Sequence, residues 1–145
     1  MMIYSMICME KCIRNIVYYR IGPVKYFLNL FLGQNETTHI NTPCIGKGLF
    51  IQHGDATYIT AKSIGDNLYC NQCVTIGYSG DSLPILGNNV QIKAGAKVIG
   101  DVKVGNNVII GANAVVVKDV PDNCTVVGVP AYIIRKDGKR VNIKL

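Results

Sequence analysis

Apolar residues recur at every sixth position through the middle of the chain. Counted from Ile64, with one insertion on the way, the repeat gives nine apolar positions in succession: Ile64, Cys70, Ile76, Leu86, Ile92, Val98, Val104, Ile110 and Val116. The residue four positions further on is small or aliphatic in eight of these nine steps, and glycine directly follows the first position in five of them. A six-residue period fits neither an α-helix nor an alternating β-strand.

A triangular parallel β-helix does have this period, because each hexapeptide forms one flat face and a turn, and three hexapeptides complete a coil. The first apolar residue of each step is expected to fill the interior. Turn sequences such as Gly87-Asn88-Asn89 and Gly105-Asn106-Asn107 suit the tight corners between faces. The sequence therefore predicts a mainly β protein with roughly five stacked coils between about residues 40 and 130.

The chain before the repeat has a different pattern. In "EKCIRNIVYYRIGPVKYFLNLFL", Ile13, Ile16 and Val17 follow helical spacing, and Gly22-Pro23 interrupts it. We predict one or two short amphipathic helices there. Two interpretations remain open: the helices cap the open end of the β-helix, or their basic and aromatic residues dock on the cytoplasmic face of a membrane.

These patterns divide the chain into three parts. Residues 1–38 are expected to form a helical cap and residues 39–131 the β-helix, with a loop insertion at about 77–85. Residues 132–145 are expected to form a basic tail. The apolar runs are too short for a membrane span, and the first residues lack the basic start and the cleavage site of a signal peptide.

Charge and cysteine content narrow the classes of partner. The net charge of +6 predicts an anionic partner, either a phosphorylated cofactor or a membrane surface. Nucleic acid is not expected, because no basic stripe interleaved with aromatic residues occurs in the repeat. Cys70 and Cys73 form a single C-x-x-C without the second pair that a structural zinc needs, so no metal is predicted. Unpaired, irregularly spaced cysteines are typical of a reducing cytoplasm.

Two stretches carry a resemblance to a known family. The repeat, together with "IGKGLFIQHG" and "IIGANAVVVKDVPDNCTVVGVPAYII", resembles the hexapeptide-repeat acyltransferases over about residues 40 to 135. Within that family the chain is similar to serine acetyltransferases and to O-acetyltransferases of surface polysaccharide synthesis. The resemblance implies a left-handed parallel β-helix, a homotrimer, and acetyl-CoA bound in the groove between two subunits.

The resemblance also implies roles for single residues. His53 matches the histidine that acts as general base on the acceptor hydroxyl, and a neutral imidazole suits that task near neutral pH. Gly77, Ala94 and Ala112 match small positions against which pantetheine lies, although turns of a β-helix also favour such residues. Basic positions that meet the phosphate end of the cofactor correspond to Lys118 and Arg135, which as isolated residues could equally be ordinary solvated charges.

The chain departs from serine acetyltransferases at the acceptor site. Gln52 stands where those enzymes have Asp before the histidine, and Ser82-Leu83 replace an Arg-His pair before Pro84. No carboxylate matches the acidic residue expected near Thr38. Gln52, Tyr78 and Asp81 are the remaining candidates for acceptor binding, and they suit a neutral, hydroxyl-rich molecule better than free serine.

We therefore expect an acetyl-CoA-dependent O-acetyltransferase that acts by direct transfer, with a saccharide hydroxyl as the acceptor. Two alternatives remain: a true serine O-acetyltransferase, and a non-catalytic β-helix that serves in assembly. A zinc-dependent β-helix enzyme would need three histidines, whereas this chain has two, His39 and His53. The expected location is cytoplasmic, with contact to the inner face of the membrane if the N-terminal helices dock there.

Overall fold

The computed structural model describes residues 11–24, 26–27 and 37–145. Helix α1 spans Lys11–Ile21 and is followed by a 3-10 turn at Gly22–Val24. Fifteen short strands follow in the described part of the chain. They are β1 (Thr38–Ile40), β2 (Phe50–Ile51), β3 (Thr57–Ile59), β4 (Ser63–Ile64), β5 (Tyr69–Cys70), β6 (Thr75–Gly77), β7 (Ile85–Leu86), β8 (Gln91–Ile92), β9 (Lys97–Ile99), β10 (Lys103–Val104), β11 (Ile109–Ile110), β12 (Val115–Val116), β13 (Cys124–Val127), β14 (Tyr132–Lys136) and β15 (Lys139–Lys144).

The strands form three parallel faces of a left-handed β-helix. Face A contains β1, β3, β6, β9 and β12; face B contains β4, β7 and β10; face C contains β2, β5, β8, β11 and β13. Isolated bridges at Ile45 and Val120 extend face B by one position at each end. The chain visits the three faces in turn and completes five coils, which confirms the fold predicted from the six-residue period.

The interior is a column of apolar side chains. All nine positions of the repeat, from Ile64 to Val116, are buried, as are corner residues such as Leu68, Val74 and Val108. Each of them stacks on the equivalent residue of the next coil, as in the register Cys70↔Ile92 and Ile92↔Ile110 on face C. Burial of apolar surface on this scale is the main force that holds the coils together.

Asparagines line the corner between faces B and C. Asn67, Asn89, Asn107 and Asn123 all have positive φ, which asparagine tolerates better than most residues. The Nδ2 of each asparagine donates to the Oδ1 of the next at 2.9 Å, and Asn123 donates to Asp137 at 3.0 Å. This ladder fixes the register of the coils at one corner.

Helix α1 lies against the first coil. Tyr18 is 3% exposed, and the Tyr19 hydroxyl donates to the Thr42 carbonyl oxygen at 2.8 Å. The Arg20 guanidinium donates to the carbonyl oxygens of Ile45 and Gly46, with Nη1 at 2.9 Å from the Ile45 oxygen. These carbonyls belong to the edge of the solenoid, where no further coil provides N–H groups to donate to them. The contacts support the interpretation of α1 as a cap.

The rest of the expected N-terminal region is only partly described. Tyr26 and Phe27 are helical, whereas Lys25 and residues 28–36, where a second helix was predicted, lie outside the described residues. Within the part of the chain that the structure describes, no helix is long and apolar enough to cross a membrane.

The C-terminal segment 132–145, expected from the sequence as a basic tail, consists largely of two strands. Antiparallel β14 and β15 form a hairpin, and β14 pairs with β13 along face C. Ile133 is 3% exposed and joins the core, which explains why this segment packs instead of extending into solvent.

Candidate active site

His53 lies in a turn that is longer than its equivalents. On the corner between faces C and A, Ile51 aligns with Cys70, and Tyr58 aligns with Thr75. Tyr58 follows Ile51 by seven positions, whereas in the next coil Thr75 follows Cys70 by only five. The hydrogen bond from Cys73 N to Asp55 O places Asp55 above Gln72, so the two extra residues are His53 and Gly54. The imidazole therefore projects from an insertion, outside the repetitive wall.

The backbone of this insertion is unusual. His53 has a φ of 67° and Gly54 a φ of 54°, and a positive φ is uncommon for histidine. His53 is exposed, and among the described residues its ring has no hydrogen-bond partner. Strained backbone at an exposed polar residue is a common feature of functional sites. Nothing in the packing requires an imidazole there.

The start of β1 holds this turn in place. The Thr38 hydroxyl donates to the Gly54 carbonyl oxygen at 2.5 Å, and the Thr37 hydroxyl donates to Asp55 Oδ1 at 3.1 Å. Thr38 lies where the resemblance to serine acetyltransferases implies an acidic residue, and its side chain is 4% exposed. Its role here is to fix the backbone next to His53, and Asp55 is the carboxylate within the same turn.

Gln52 belongs to a hydrogen-bonded cluster at the end of face C. Its Oε1 accepts hydrogen bonds from the Tyr69 hydroxyl and from Asn71 Nδ2, the latter at 3.2 Å. Asn71 Nδ2 also lies 3.3 Å from the Tyr69 hydroxyl oxygen. The Lys93 ammonium lies 4.5 Å from the centre of the Tyr69 ring and donates to Gln91 at 2.9 Å. Gln52 is therefore fixed by its neighbours, directly before His53.

Ala94 and Ala112 lie in line with Asp55, in the turns below the insertion that carries His53. The turns stack through the bonds Cys73 N to Asp55 O, Gly95 N to Gln72 O and Asn113 N to Ala94 O, which run from 2.8 to 3.0 Å. Below the insertion, the positions Asp55, Gln72, Ala94 and Ala112 therefore form one row along the axis, about 4.8 Å apart. We call this corner, from His53 to Ala112, the histidine edge.

Four other candidate residues lie at the opposite margin of face A. Gly77 ends β6, and Tyr78 and Asp81 follow in a loop closed by two backbone hydrogen bonds of 3.2 Å between Ser79 and Ser82. The register of face A places Val117-Lys118 below Ile99-Gly100, and these below Gly77-Tyr78. We call this corner, from Gly77 to Lys118, the loop edge. From Cys73 to Tyr78 the chain crosses face A in five residues, or about 16 Å.

The two predicted basic residues do not meet. Lys118 lines a groove of about 610 Å³ with Tyr132, Asn142 and Lys144, and its Nζ donates to the main-chain oxygen of Leu145 at 2.8 Å. Arg135 is exposed on β14, where it pairs with Thr125 and Arg140, and is not among the residues that line the groove. The structure thus brings Lys118, but not Arg135, to the groove.

The four cysteines whose side chains the structure describes divide into buried and exposed thiols. Burial raises the pKa of the Cys70 thiol to about 12, so this thiol stays protonated at neutral pH and is no candidate acyl carrier. Cys44 and Cys73 are exposed free thiols. Among residues 11–24, 26–27 and 37–145, no group of three or more His, Cys, Asp or Glu side chains could hold a metal ion.

Five residues of this region were not singled out from the sequence: Thr37, Asp55, Tyr69, Asn71 and Lys93. Their contacts depend on which residues stack between coils, and the hexapeptide period does not report this. One sequence signal does exist for the insertion, since Ile51 and Ile59 are eight residues apart where the repeat expects six. That spacing marks the turn that carries His53.

Comparison with known proteins agrees with this architecture. Residues 84–118 match the family model described as bacterial transferase hexapeptide (six repeats). The chain is 49% identical over 102 residues to the serine acetyltransferase of Staphylococcus aureus (strain Mu50 / ATCC 700699), which covers 67% of this chain and 48% of that protein. The chain thus spans about half the length of the curated relatives it matches.

Solved structures show the same likeness. The serine acetyltransferase of Brucella abortus strain S19 superposes with a TM-score of 0.67 at 35% identity, over 83% of this chain and 52% of that chain. The structure of serine acetyltransferase in complex with coenzyme A from the same organism gives a TM-score of 0.57 at 40% identity, over 70% of this chain and 41% of that chain. By its repeat, its coil architecture and these relatives, the chain belongs to the hexapeptide-repeat acyltransferase family, on its serine acetyltransferase-like branch.

Proposed function

We propose that the protein is an acetyl-CoA-dependent O-acetyltransferase in which His53 is the general base. The observation that carries this proposal is the two-residue insertion, which presents an exposed histidine with positive φ at the head of the histidine edge. Ala94 and Ala112 continue this edge with small side chains, which leave room for an extended pantetheine arm. The coenzyme A complex among the related structures supports the choice of donor.

The chemistry is a direct transfer. Neutral His53 takes the proton from the acceptor hydroxyl while that oxygen attacks the thioester carbonyl carbon. The tetrahedral oxyanion is stabilised by backbone N–H groups of exposed turns. The attack forms the ester C–O bond; collapse of the tetrahedral intermediate then restores the carbonyl and breaks the C–S bond, and the departing thiolate of coenzyme A takes the proton from the imidazolium. No covalent acyl-enzyme is needed, in keeping with a protonated and buried Cys70.

The relatives bear on the acceptor. The curated relative and the solved structures compared above are serine acetyltransferases, and this favours L-serine over the saccharide that the sequence departures suggested. A saccharide hydroxyl remains the second candidate, because Gln52 provides an amide where a carboxylate was expected. Both acceptors present a hydroxyl to the same base.

The separation of the two edges supports a homotrimer. His53 and the loop residues Tyr78 and Asp81 are on opposite margins of face A in one chain, too far apart for one small acceptor to touch both. In a trimer, the histidine edge of one copy can face the loop edge of the next. We propose that acetyl-CoA lies between them, with Gly77 and Lys118 from the neighbouring copy and Arg135 outside the main contact.

Location and membrane contact are separate proposals. Free thiols at Cys44, Cys70, Cys73 and Cys124 are consistent with a reducing cytoplasm. Docking of the N-terminal helices on a membrane has less support than capping, because Arg20 is already bonded to the first coil. Co-sedimentation with anionic liposomes tests this point, and absence of binding would remove the membrane proposal.

Coenzyme A release from acetyl-CoA in the presence of L-serine or simple glycosides tests the function. We expect His53→Ala to lower acceptor-dependent release by a factor of about 10² to 10⁴. His39→Ala is the matched control, since His39 stacks on Tyr58 with ring centres 4.6 Å apart and should leave the rate within about twofold. Equal rates for wild type and His53→Ala would contradict the proposed base.

A further inference from the structure

The hydrogen bonds around Gln52 determine which of its amide groups is available. Oε1 already accepts from two donors, Tyr69 and Asn71. An amide oxygen has two lone pairs, so this acceptor is saturated. The Nε2 group, with its two N–H donors, is left for a ligand. Directly before His53, the site therefore offers a hydrogen-bond donor.

The surroundings have the same polarity. Lys93 places an ammonium group against the Tyr69 ring, on the same side of face C as Gln52. The carboxylate of this turn, Asp55, accepts a hydrogen bond from Thr37 on the face A side. A ligand ammonium has N–H donors and no acceptor, so it could not form a hydrogen bond with the Gln52 N–H groups. A hydroxyl oxygen in place of that ammonium would instead accept a hydrogen bond from the Gln52 N–H.

We infer that Gln52, held by Tyr69 and Asn71, is a specificity-determining residue that selects acceptors with an oxygen, rather than an ammonium, next to the reacting hydroxyl. The inference rests on the proposed acetyltransferase activity but departs from the L-serine acceptor that the relatives favour: it names hydroxy acids and polyols with vicinal oxygens as the class of acceptor. Glycerate is the simplest example, because it carries a hydroxyl where serine carries its ammonium. Tyr69 and Asn71 are positioning residues that act through Gln52.

The test compares kcat/KM for glycerate and L-serine, with acetyl-CoA saturating. Wild type is expected to prefer glycerate by about tenfold or more, since a donor facing an ammonium loses a hydrogen bond on both sides. Gln52→Asp should move the ratio towards L-serine by about tenfold or more. Tyr69→Phe should reduce the preference for glycerate, because Gln52 loses one of its two hydrogen-bond donors. The change should appear in the KM of the acceptor, and the KM of acetyl-CoA should stay unchanged.

Controls separate specificity from loss of structure. Tyr19→Phe removes a hydroxyl hydrogen bond at the helical cap and should leave the ratio unchanged. Asp55→Asn tests whether the Asp55 carboxylate binds the serine ammonium or only stabilises the turn. We expect this variant to keep the ratio of kcat/KM for glycerate and L-serine within twofold of wild type. Gln52→Glu should not keep the wild-type ratio, because an ionised carboxylate cannot donate a hydrogen bond to the acceptor oxygen.

The outcomes are distinct. A wild-type preference for L-serine that Gln52→Asp does not alter would overturn this inference and leave the acetyltransferase proposal intact. A serine preference that disappears in Asp55→Asn would also overturn it and would assign the ammonium to Asp55. No His53-dependent coenzyme A release with any acceptor would overturn the proposed function and this inference together.

Discussion

At the scale of single residues, the glycine positions of the solenoid differ in whether the surrounding atoms leave room for a side chain. A Cβ placed on Gly87 would lie 2.9 Å from the backbone carbon of Gly105 and 2.8 Å from Asn106 Oδ1, so the stacking of coils excludes it. A Cβ placed on Gly77 would meet only Thr75 Cγ2 at 3.8 Å and Ile99 Cδ1 at 4.0 Å, which are ordinary contacts. The turns of the β-helix therefore do not require glycine at position 77, contrary to the expectation from sequence.

Gly77→Ala and Gly87→Ala form a matched pair. We expect Gly77→Ala to change the free energy of unfolding by less than about 0.5 kcal/mol, because its methyl group finds space. The same methyl should raise the KM of acetyl-CoA if pantetheine lies against this position. Gly87→Ala should lower stability by about 2 kcal/mol through overpacking. Denaturant unfolding measures the stability of the two variants, and steady-state kinetics measures their KM for acetyl-CoA. An unchanged KM in Gly77→Ala would show that pantetheine does not lie against Gly77.

At the scale of elements, the strands are nearly identical to one another, and the three corners of the β-helix differ. Strands of two or three residues repeat one pattern, an outward residue beside a buried one. The corners differ: one holds the asparagine ladder, another the His53–Gly54 insertion, and the third the loop after Gly77. Turn geometry was predictable from Gly-Asn pairs, but the bonds between turns depend on coils about 20 residues apart in sequence.

Substitution in the asparagine ladder tests how corners fix the coils. Asn107→Ala removes two side-chain hydrogen bonds of 2.9 Å and forces alanine to a φ of 56°. We expect a loss of about 2 kcal/mol in the free energy of unfolding. Asn107→Gly loses the same bonds without the backbone strain, so it should be about 1 kcal/mol more stable than Asn107→Ala.

Chemical denaturation of the two variants and of wild type measures these differences. Asn142→Ala, at an exposed position on β15, is the control and should stay within about 0.5 kcal/mol of wild type. If Asn107→Ala proved as stable as wild type, the ladder would be a consequence of coil stacking and not a cause of it.

At the scale of the whole molecule, the ends and the edges determine what the solenoid can do. Helix α1 covers the first coil, and the β14–β15 hairpin extends face C beyond the last one. The candidate residues are divided between two edges of face A, and the proposed homotrimer would bring the two edges together. In that proposal, assembly and catalysis share one interface.

The proposed assembly predicts the behaviour of the intact protein. Light scattering should give a mass of about three times 15.8 kDa. Coenzyme A should raise the Tm, because a ligand that binds the native state stabilises it by about 2.7 kcal/mol at 100 times its Kd. Lys118→Ala should weaken this shift and reduce its dependence on salt. A protein that stays monomeric and shows no shift at millimolar coenzyme A would favour a non-catalytic β-helix.

The sequence by itself determined the coil, the core and the principal candidate base. These follow from local information, since a six-residue apolar period requires each repeat to bury its face against the next coil, whatever its neighbours are. The motif around His53 identified the residue but not its setting. The bonds that hold Gln52 and the turn, the hairpin at 132–145 and the separation of Lys118 from Arg135 were decided only by the tertiary structure. Each depends on which residues of different coils become neighbours, and a single insertion such as His53–Gly54 changes that alignment without altering the repeat on either side.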